Sequence, residues 1–280
     1  MKKAFIVILF FLAAAAFSQN SSGAASSTGL RITVEDNPTG FTITGSSGNA
    51  VVLSIPAEID GKQVTRIGDG AFIAKGLREV TIPDSVTIIG DGAFSYNNLE
   101  SVTIGSNVTR VGRGAFKSNK LTSVTLGSSL SVIGKGAFSD NMIESITLPD
   151  SLTMIDDYAF FSNKLKSIEI PANVSTIGEG AFSGNKFMSI VIGSGVTVIR
   201  DGAFYNNFIT SVTIPASLET LGSRAFDQRS ADGRIRGNVV YTDISGNILY
   251  TTANNFDNFY ASNGKKPGKY LLMDGNWSME

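Results

Sequence analysis

Acidic residues recur at one register of this chain, three positions ahead of a phenylalanine: Asp69, Asp91, Asp157, Glu179 and Asp201. A ladder of carboxylates at turns is how β-rolls hold calcium, an ion that takes about six to eight oxygens. Arg113 and Lys135 stand at the same register and would set cations inside the ladder, so no metal site is expected. Adjacent Asp156 and Asp157 resemble a general acid/base pair, but two neighbouring carboxylates alone make neither a pocket nor a dyad. The closely spaced glycines, such as Gly68 and Gly70, precede no long helix and so do not form a nucleotide loop. The chain has no histidine and no cysteine. It therefore lacks the commonest general base, any thiol nucleophile, disulfides and thiolate metal sites. No catalytic residue and no cofactor is expected. With 23 basic and 24 acidic residues the charge is balanced, and nothing favours nucleic acid.

Hydroxyl groups are the other recurrent chemistry. Ser101, Ser123, Ser145, Ser167, Ser189 and Ser211 form one column, and Thr81, Thr103, Thr125, Thr147 and Thr213 form a second. Alternation within stretches such as SVTI turns both columns to the same outer face. Such a face is compatible with plain β-propensity and solubility, or with an adaptable hydrogen-bonding surface. Specificity is expected where the ladder is broken. The candidate ligand-binding residues are Arg78, Glu79 and Glu100 on the first regular repeats, and Glu144, Lys166, Glu169, Met188 and Val191 on the middle ones. The middle group is favoured, because exposed Met and Val beside charges give an apolar contact with a polar border. Ile88, Val132, Met154 and Val198 offer a rival outward column on the second strand.

What positions these residues is a repeat. Phe72, Phe94, Phe116, Phe138, Phe160, Phe182, Phe204 and Phe226 are each preceded by alanine and separated by 22 residues every time. Apolar residues follow in the same frame: Leu77, Leu99 and Leu121, then Val80 with Ile82 or Val102 with Ile104, then Val86 with Ile89. A fixed period of this length marks a solenoid whose units bury their apolar side against their neighbours. Twenty-two residues suffice for one coil with a strand on each of two sides and tight turns between. At about 4.8 Å per rung, eight coils would be about 35–40 Å long. Asn97, Asn119, Asn141, Asn163, Asn185 and Asn207 each follow a phenylalanine by three residues. Lying between core positions, they read as an amide ladder that satisfies turn backbone groups.

The string IGDGAFSYNNLESVTIGSNVTRVGRGAF, from Ile89 to Phe116, resembles the treponemal-type leucine-rich repeat of BspA-like surface proteins. Asn stands where that family commonly has Cys, and the period is 22 rather than the usual 23. The resemblance implies a leucine-rich-repeat solenoid, mostly β, with parallel strands on two sides of each coil. It also implies adhesion: binding to host matrix proteins or to other cells.

The flanks are read separately. Residues 1–18 have the form of a signal peptide: Lys2 and Lys3, an apolar run from Ala4 to Phe17, then small residues. That run is shorter than the roughly 20 residues of a membrane span. After its removal no transmembrane segment is expected. Residues 19–29 form a flexible linker, 30–50 an N-terminal β cap, 51–226 the solenoid and 227–280 a C-terminal cap with closing hairpins. The expected protein is exported, secreted or at the cell surface, non-enzymatic and adhesin-like. Its expected ligand is a protein of the extracellular matrix or of another cell surface. A glycan-binding or envelope-structural module is the alternative. Aromatic platforms would favour glycans, and the strand face has none.

Overall fold

The computed structural model describes residues 6–9, 30–209 and 211–226, together with the short strands 239–242, 248–251, 269–270, 272–273 and 276–277. The cleavage region and linker (10–29) and the charged loop at Arg229–Arg236 lie outside the described residues. Coils stack side by side with parallel strands, and no helix occurs among the described residues. One sheet, here the back sheet, runs along the whole array through pairs such as Arg66 with Ile88, Arg110 with Val132 and Val198 with Thr220. The N-terminal hairpin, Arg31–Asn37 with Gly40–Ser47, joins its end: Gly40–Ser47 pairs in parallel with Lys62–Ile67. Ile6–Leu9 pairs antiparallel on the outer edge of that hairpin. The extra residues of the first coil form a small hairpin, Glu58–Ile59 against Lys62–Gln63. It turns at Asp60 and Gly61, both with positive φ, the twist that tight hairpins need.

The core follows from the repeat. Seven ring-to-ring contacts join Phe72 to Phe226 in one stack, with centroids 5.2–5.5 Å apart and planes within 11° of parallel. Each ring fills the space its neighbours leave, and the intervening alanines keep the facing backbone close. Thus the Phe72 amide donates to the Ala93 carbonyl at 2.8 Å, and Phe94 to Ala115 at 2.7 Å. Leu77, Leu99, Leu121, Ile143, Leu165, Phe187 and Ile209 pack behind the stack, fully or almost fully buried.

The asparagine column is buried and saturated. Asn97 Nδ2 donates to the carbonyls of Phe72 and Phe94, and its Oδ1 accepts from the amides of Lys75 and Leu77. A side-chain amide supplies two donors and an acceptor, so one residue ties the turns of two coils together. The carboxylate register has a similar task. Asp69 accepts from the Asp91 amide, Asp91 from Arg113, Asp157 from Glu179 and Asp201 from Ser223, at 2.8–3.0 Å.

Two glycine registers differ in what they require. Glycines four residues before Phe are there for close approach: a Cβ on Gly90 or Gly112 would lie within 2.7 Å of the preceding coil's aspartate. Two residues before Phe the backbone is left-handed in every coil, at φ of 55–62°. Six coils place glycine there. Tyr158 and Arg224 adopt the same φ of 56° with full side chains, so the turn imposes the conformation even without glycine.

Candidate functional site

The front face carries the candidate residues. Ser101, Thr103, Ser123 and Thr125 are exposed while Val102 and Val124 are buried, which is the expected alternation. All eight candidates are exposed. Arg78, Glu100, Glu144, Lys166 and Met188 share one register, one residue ahead of the serine column, so the last three line up on successive coils. Lys166 Nζ meets Glu144 Oε2 at 2.6 Å. That hydrogen bond, and then the ammonium charge, hold the Glu144 carboxyl below its ordinary value. Met188 beside them is 63% exposed. Glu169 and Val191 are bridged in parallel in the threonine register, and Val191 is 54% exposed. The middle group is therefore one surface of two exposed apolar side chains, an ion pair and a further carboxylate.

The first group is concave. The front sheet is not continuous: Val52–Ser54 pairs with Glu79–Thr81, and Ser101–Thr103 with Ser123–Thr125, but no ladder joins Glu79–Thr81 to Ser101–Thr103. A cleft of about 570 Å³ opens at this break. Arg78, Glu79 and Glu100 line it, with Thr81, Ser101 and Thr103. The coils are wider apart here. A Cβ on Gly127 would stand 2.1 Å from the Gly105 carbonyl oxygen, whereas one on Gly105 would stand 3.7 Å from that of Pro83. The structure thus brings Arg78, Glu79 and Glu100 together, brings the five middle residues together, and keeps the two groups apart. The break itself was not expected from the repeat. Its one visible signal is Pro83, standing where the next two coils have Gly105 and Gly127.

The back-sheet rival is weaker. Ile88, Val132 and Val198 are only half-buried on the outer side, Met154 is 37% exposed, and Arg110 and Thr176 interrupt the column.

A second concavity, absent from the sequence reading, lies on the turn edge. It holds about 380 Å³ and is framed by Tyr158, Tyr205 and Arg224, with Glu179 and Asp201 on its wall. Tyr158 Oη donates to the Glu179 carboxylate. This bond first, then burial and the charges of Glu179 and Asp157, push the phenol up to about 12. At the adjoining Asp157, burial acts to raise the carboxyl. The Glu179 amide, Lys135 and Arg200 outweigh it and hold the group below its usual range. The sequence signal was the loss of glycine at 158 and 224. Among the described residues, no group of three acidic, His or Cys side chains could hold a metal. No helix there is long and apolar enough to cross a membrane.

The profile of the BspA type Leucine rich repeat region matches the chain in six copies, over residues 55–165, 111–232 and 153–264. The chain belongs to the BspA-type leucine-rich-repeat family. Solved structures are also similar to the chain. A leucine-rich repeat protein from Bacteroides ovatus is 24% identical with a TM-score of 0.49; the match covers 70% of this chain and 66% of that one. A leucine rich cell surface protein from Faecalibacterium prausnitzii is 26% identical with a TM-score of 0.44, covering 74% of each chain. A leucine rich repeat protein from T. pallidum is 21% identical with a TM-score of 0.42, covering 68% of this chain and 83% of that one. No curated protein matches the chain. The BspA-type assignment agrees with the resemblance seen in the repeat and accounts for the solenoid, with asparagine performing the ladder function.

Proposed function

We propose that this BspA-type repeat protein is an exported, non-enzymatic binding protein. In this reading its front face recognises a protein ligand in an adhesin-like role, on the extracellular matrix or on another cell. Residues 1–18 then serve as signal peptide, 19–29 as linker, 30–50 and 227–280 as caps, and 51–226 as the recognition body. The observation that carries the reading is the exposure of Met188 and Val191 beside the Lys166–Glu144 pair, on a face made largely of hydroxyls. Most other outward positions along the front strands are Ser or Thr, with long charged side chains at Arg78, Glu79 and Glu100 and an exposed Val52 on the first coil, so two exposed apolar side chains beside an ion pair come together only on the middle coils among the described residues. Exposed apolar centres ringed by polar groups are where protein–protein binding energy concentrates. A rigid repeat body presents such a centre without loss of conformational entropy on binding.

The test is a binding screen of the full chain against immobilised matrix proteins, followed by variants. Lys166→Glu with Met188→Asp should keep the melting temperature and weaken binding at least tenfold, about 1.4 kcal/mol. Unchanged binding by that double variant, with loss on Met154→Asp, would move the site to the back sheet. Loss on Glu100→Lys alone would move it to the cleft at the sheet break.

A further inference from the structure

The middle front patch is wider than the serine and threonine columns show. Four residues after each core phenylalanine the chain places Lys120, Met142, Lys164, Lys186 and Phe208 on successive coils. In the last three the flanking residues are buried, an asparagine before and Leu165, Phe187 or Ile209 after, so the side chain between them turns out to solvent. Alternation puts it on the same side as the residue two further on, Lys164 beside Lys166 and Lys186 beside Met188. The backbone ties these positions together coil by coil. The Lys186 amide donates to the Leu165 carbonyl at 2.8 Å, and the Phe208 amide to that of Phe187, the residue preceding Met188, at 3.0 Å. The apolar centre thereby gains a third member: Phe208 is 57% exposed, even with Lys186 Nζ standing 5.2 Å from its ring centroid.

Charge on this side of the patch has one sign. From Met142 to Phe208 these two outward registers hold three lysines and one carboxylate, in a chain whose overall charge is −1. Glu144 engages Lys166, whereas neither Lys164 nor Lys186 has an ion-pair partner among the described residues. Glu169 stands at the far end of the strand, in the threonine register. We propose that the ligand of this face is an extended acidic protein segment, in which Asp or Glu flanks an aromatic or aliphatic side chain. The proposal rests on the front-face reading above and names the chemistry of its partner. The ligand's apolar side chain packs on Phe208 and on the adaptable thioether of Met188. Its carboxylates accept charge-assisted hydrogen bonds from Lys164 and Lys186. Those lysines start one rung, about 4.8 Å, apart, and carboxylates on one side of an extended segment recur about every 6.6 Å, a mismatch that flexible side chains absorb. A basic segment would meet two uncompensated ammonium groups. A sulfated polysaccharide would use the lysines but leave Met188 and Phe208 without an apolar partner.

The test is panning of a phage-displayed random dodecapeptide library on the immobilised full chain, with the enriched peptides then measured by fluorescence anisotropy. Enriched sequences should carry Asp or Glu within two residues of an aromatic or aliphatic side chain. Their affinity should fall at least tenfold for Lys164→Glu with Lys186→Glu, and again for Phe208→Ser, and should weaken as salt rises from about 0.05 to 0.5 M. All three positions are exposed, so the melting temperatures should stay those of the parent. Basic or uncharged enriched sequences, affinity indifferent to the double charge reversal, or no enrichment relative to that variant would overturn the proposal. So would heparin binding that is lost on the charge reversal and survives Phe208→Ser while no acidic peptide binds. Immobilised matrix proteins separate the two readings. Binding lost on Lys166→Glu with Met188→Asp but kept by Lys164→Glu with Lys186→Glu leaves the front-face site standing and removes the acidic ligand. Binding indifferent to both double variants overturns both.

Discussion

Replacing Asn141 by alanine tests the amide ladder at its centre. Asn141 Nδ2 donates to the carbonyls of Phe116, Phe138 and Ser139 at 3.0–3.1 Å, and Oδ1 accepts from the Leu121 amide at 3.1 Å. The carbonyls keep other donors after truncation: Asn119 for Phe116, Asn163 for Phe138 and the Ser118 amide for Ser139. The Leu121 N–H loses its acceptor in a fully buried place. One buried orphan costs about 1–3 kcal/mol, and each lost but replaceable bond adds about 0.5–1.5. The expected loss is therefore about 3 kcal/mol. Denaturant unfolding followed by far-UV circular dichroism would measure it, and hydrogen exchange would show the Leu121 amide losing protection. Asn141→Asp sharpens the test, because it keeps the acceptor and turns a carboxylate oxygen toward three carbonyls. Its carboxyl would be held protonated-favouring in the fold, so its destabilisation should grow as pH rises above about 4 and recede below. A loss under about 0.5 kcal/mol for Asn141→Ala, the size expected of a surface change, would refute the ladder as a stabilising element.

Other outcomes follow from the same geometry. Phe138 lies between the rings of Phe116 and Phe160 at 5.4 and 5.5 Å, so Phe138→Ala should cost about 3–5 kcal/mol in thermal or denaturant melts. Outward Ser145→Ala should change stability by only about 0.3 kcal/mol, and equal losses would place the register one residue out. Asp157 has a lowered pKa, so its contribution is present above its unfolded value of about 3.9 and is lost as pH falls through the lower folded value. An acid titration of Asp157→Asn should then show a flatter stability profile below about pH 4. Tyr158 should ionise near pH 12 in an ultraviolet phenol titration, and Glu179→Ala should bring it down toward the ordinary value near 10. Because its folded pKa is raised, the stability it contributes is complete below about pH 10 and lost as pH climbs toward 12.

The fold was legible because each coil repeats the same demands. Phe, Ala, Leu and Asn recur at fixed registers, and identical coils can satisfy those registers together only by stacking. The alternation of Val and Ile with Ser and Thr likewise assigned the front-face side chains inward or outward before any coordinates. On the back sheet, two-residue strands are too short for alternation to set the phase. The pairing of Ile88, Arg110, Val132 and Met154 puts them on one face, and burial of Ile89, Val111, Ile133 and Ile155 shows that this face is the outer one.

Spacing between coils was decided mainly by tertiary structure. Beyond Pro83 in place of glycine, the 22-residue frame does not show that the front ladder is absent between Thr81 and Thr103 while Gly105 and Gly127 approach closely. That distance is the balance of packing along the whole cross-section. The turn-edge cleft has the same origin. The sequence displays Tyr158 and Arg224 in place of glycine, but not that both keep the left-handed backbone and turn toward one cavity. A register specifies where a residue sits on its own coil. Which neighbours its side chain reaches depends on the rise, the strain and the empty volume that only the assembled stack possesses.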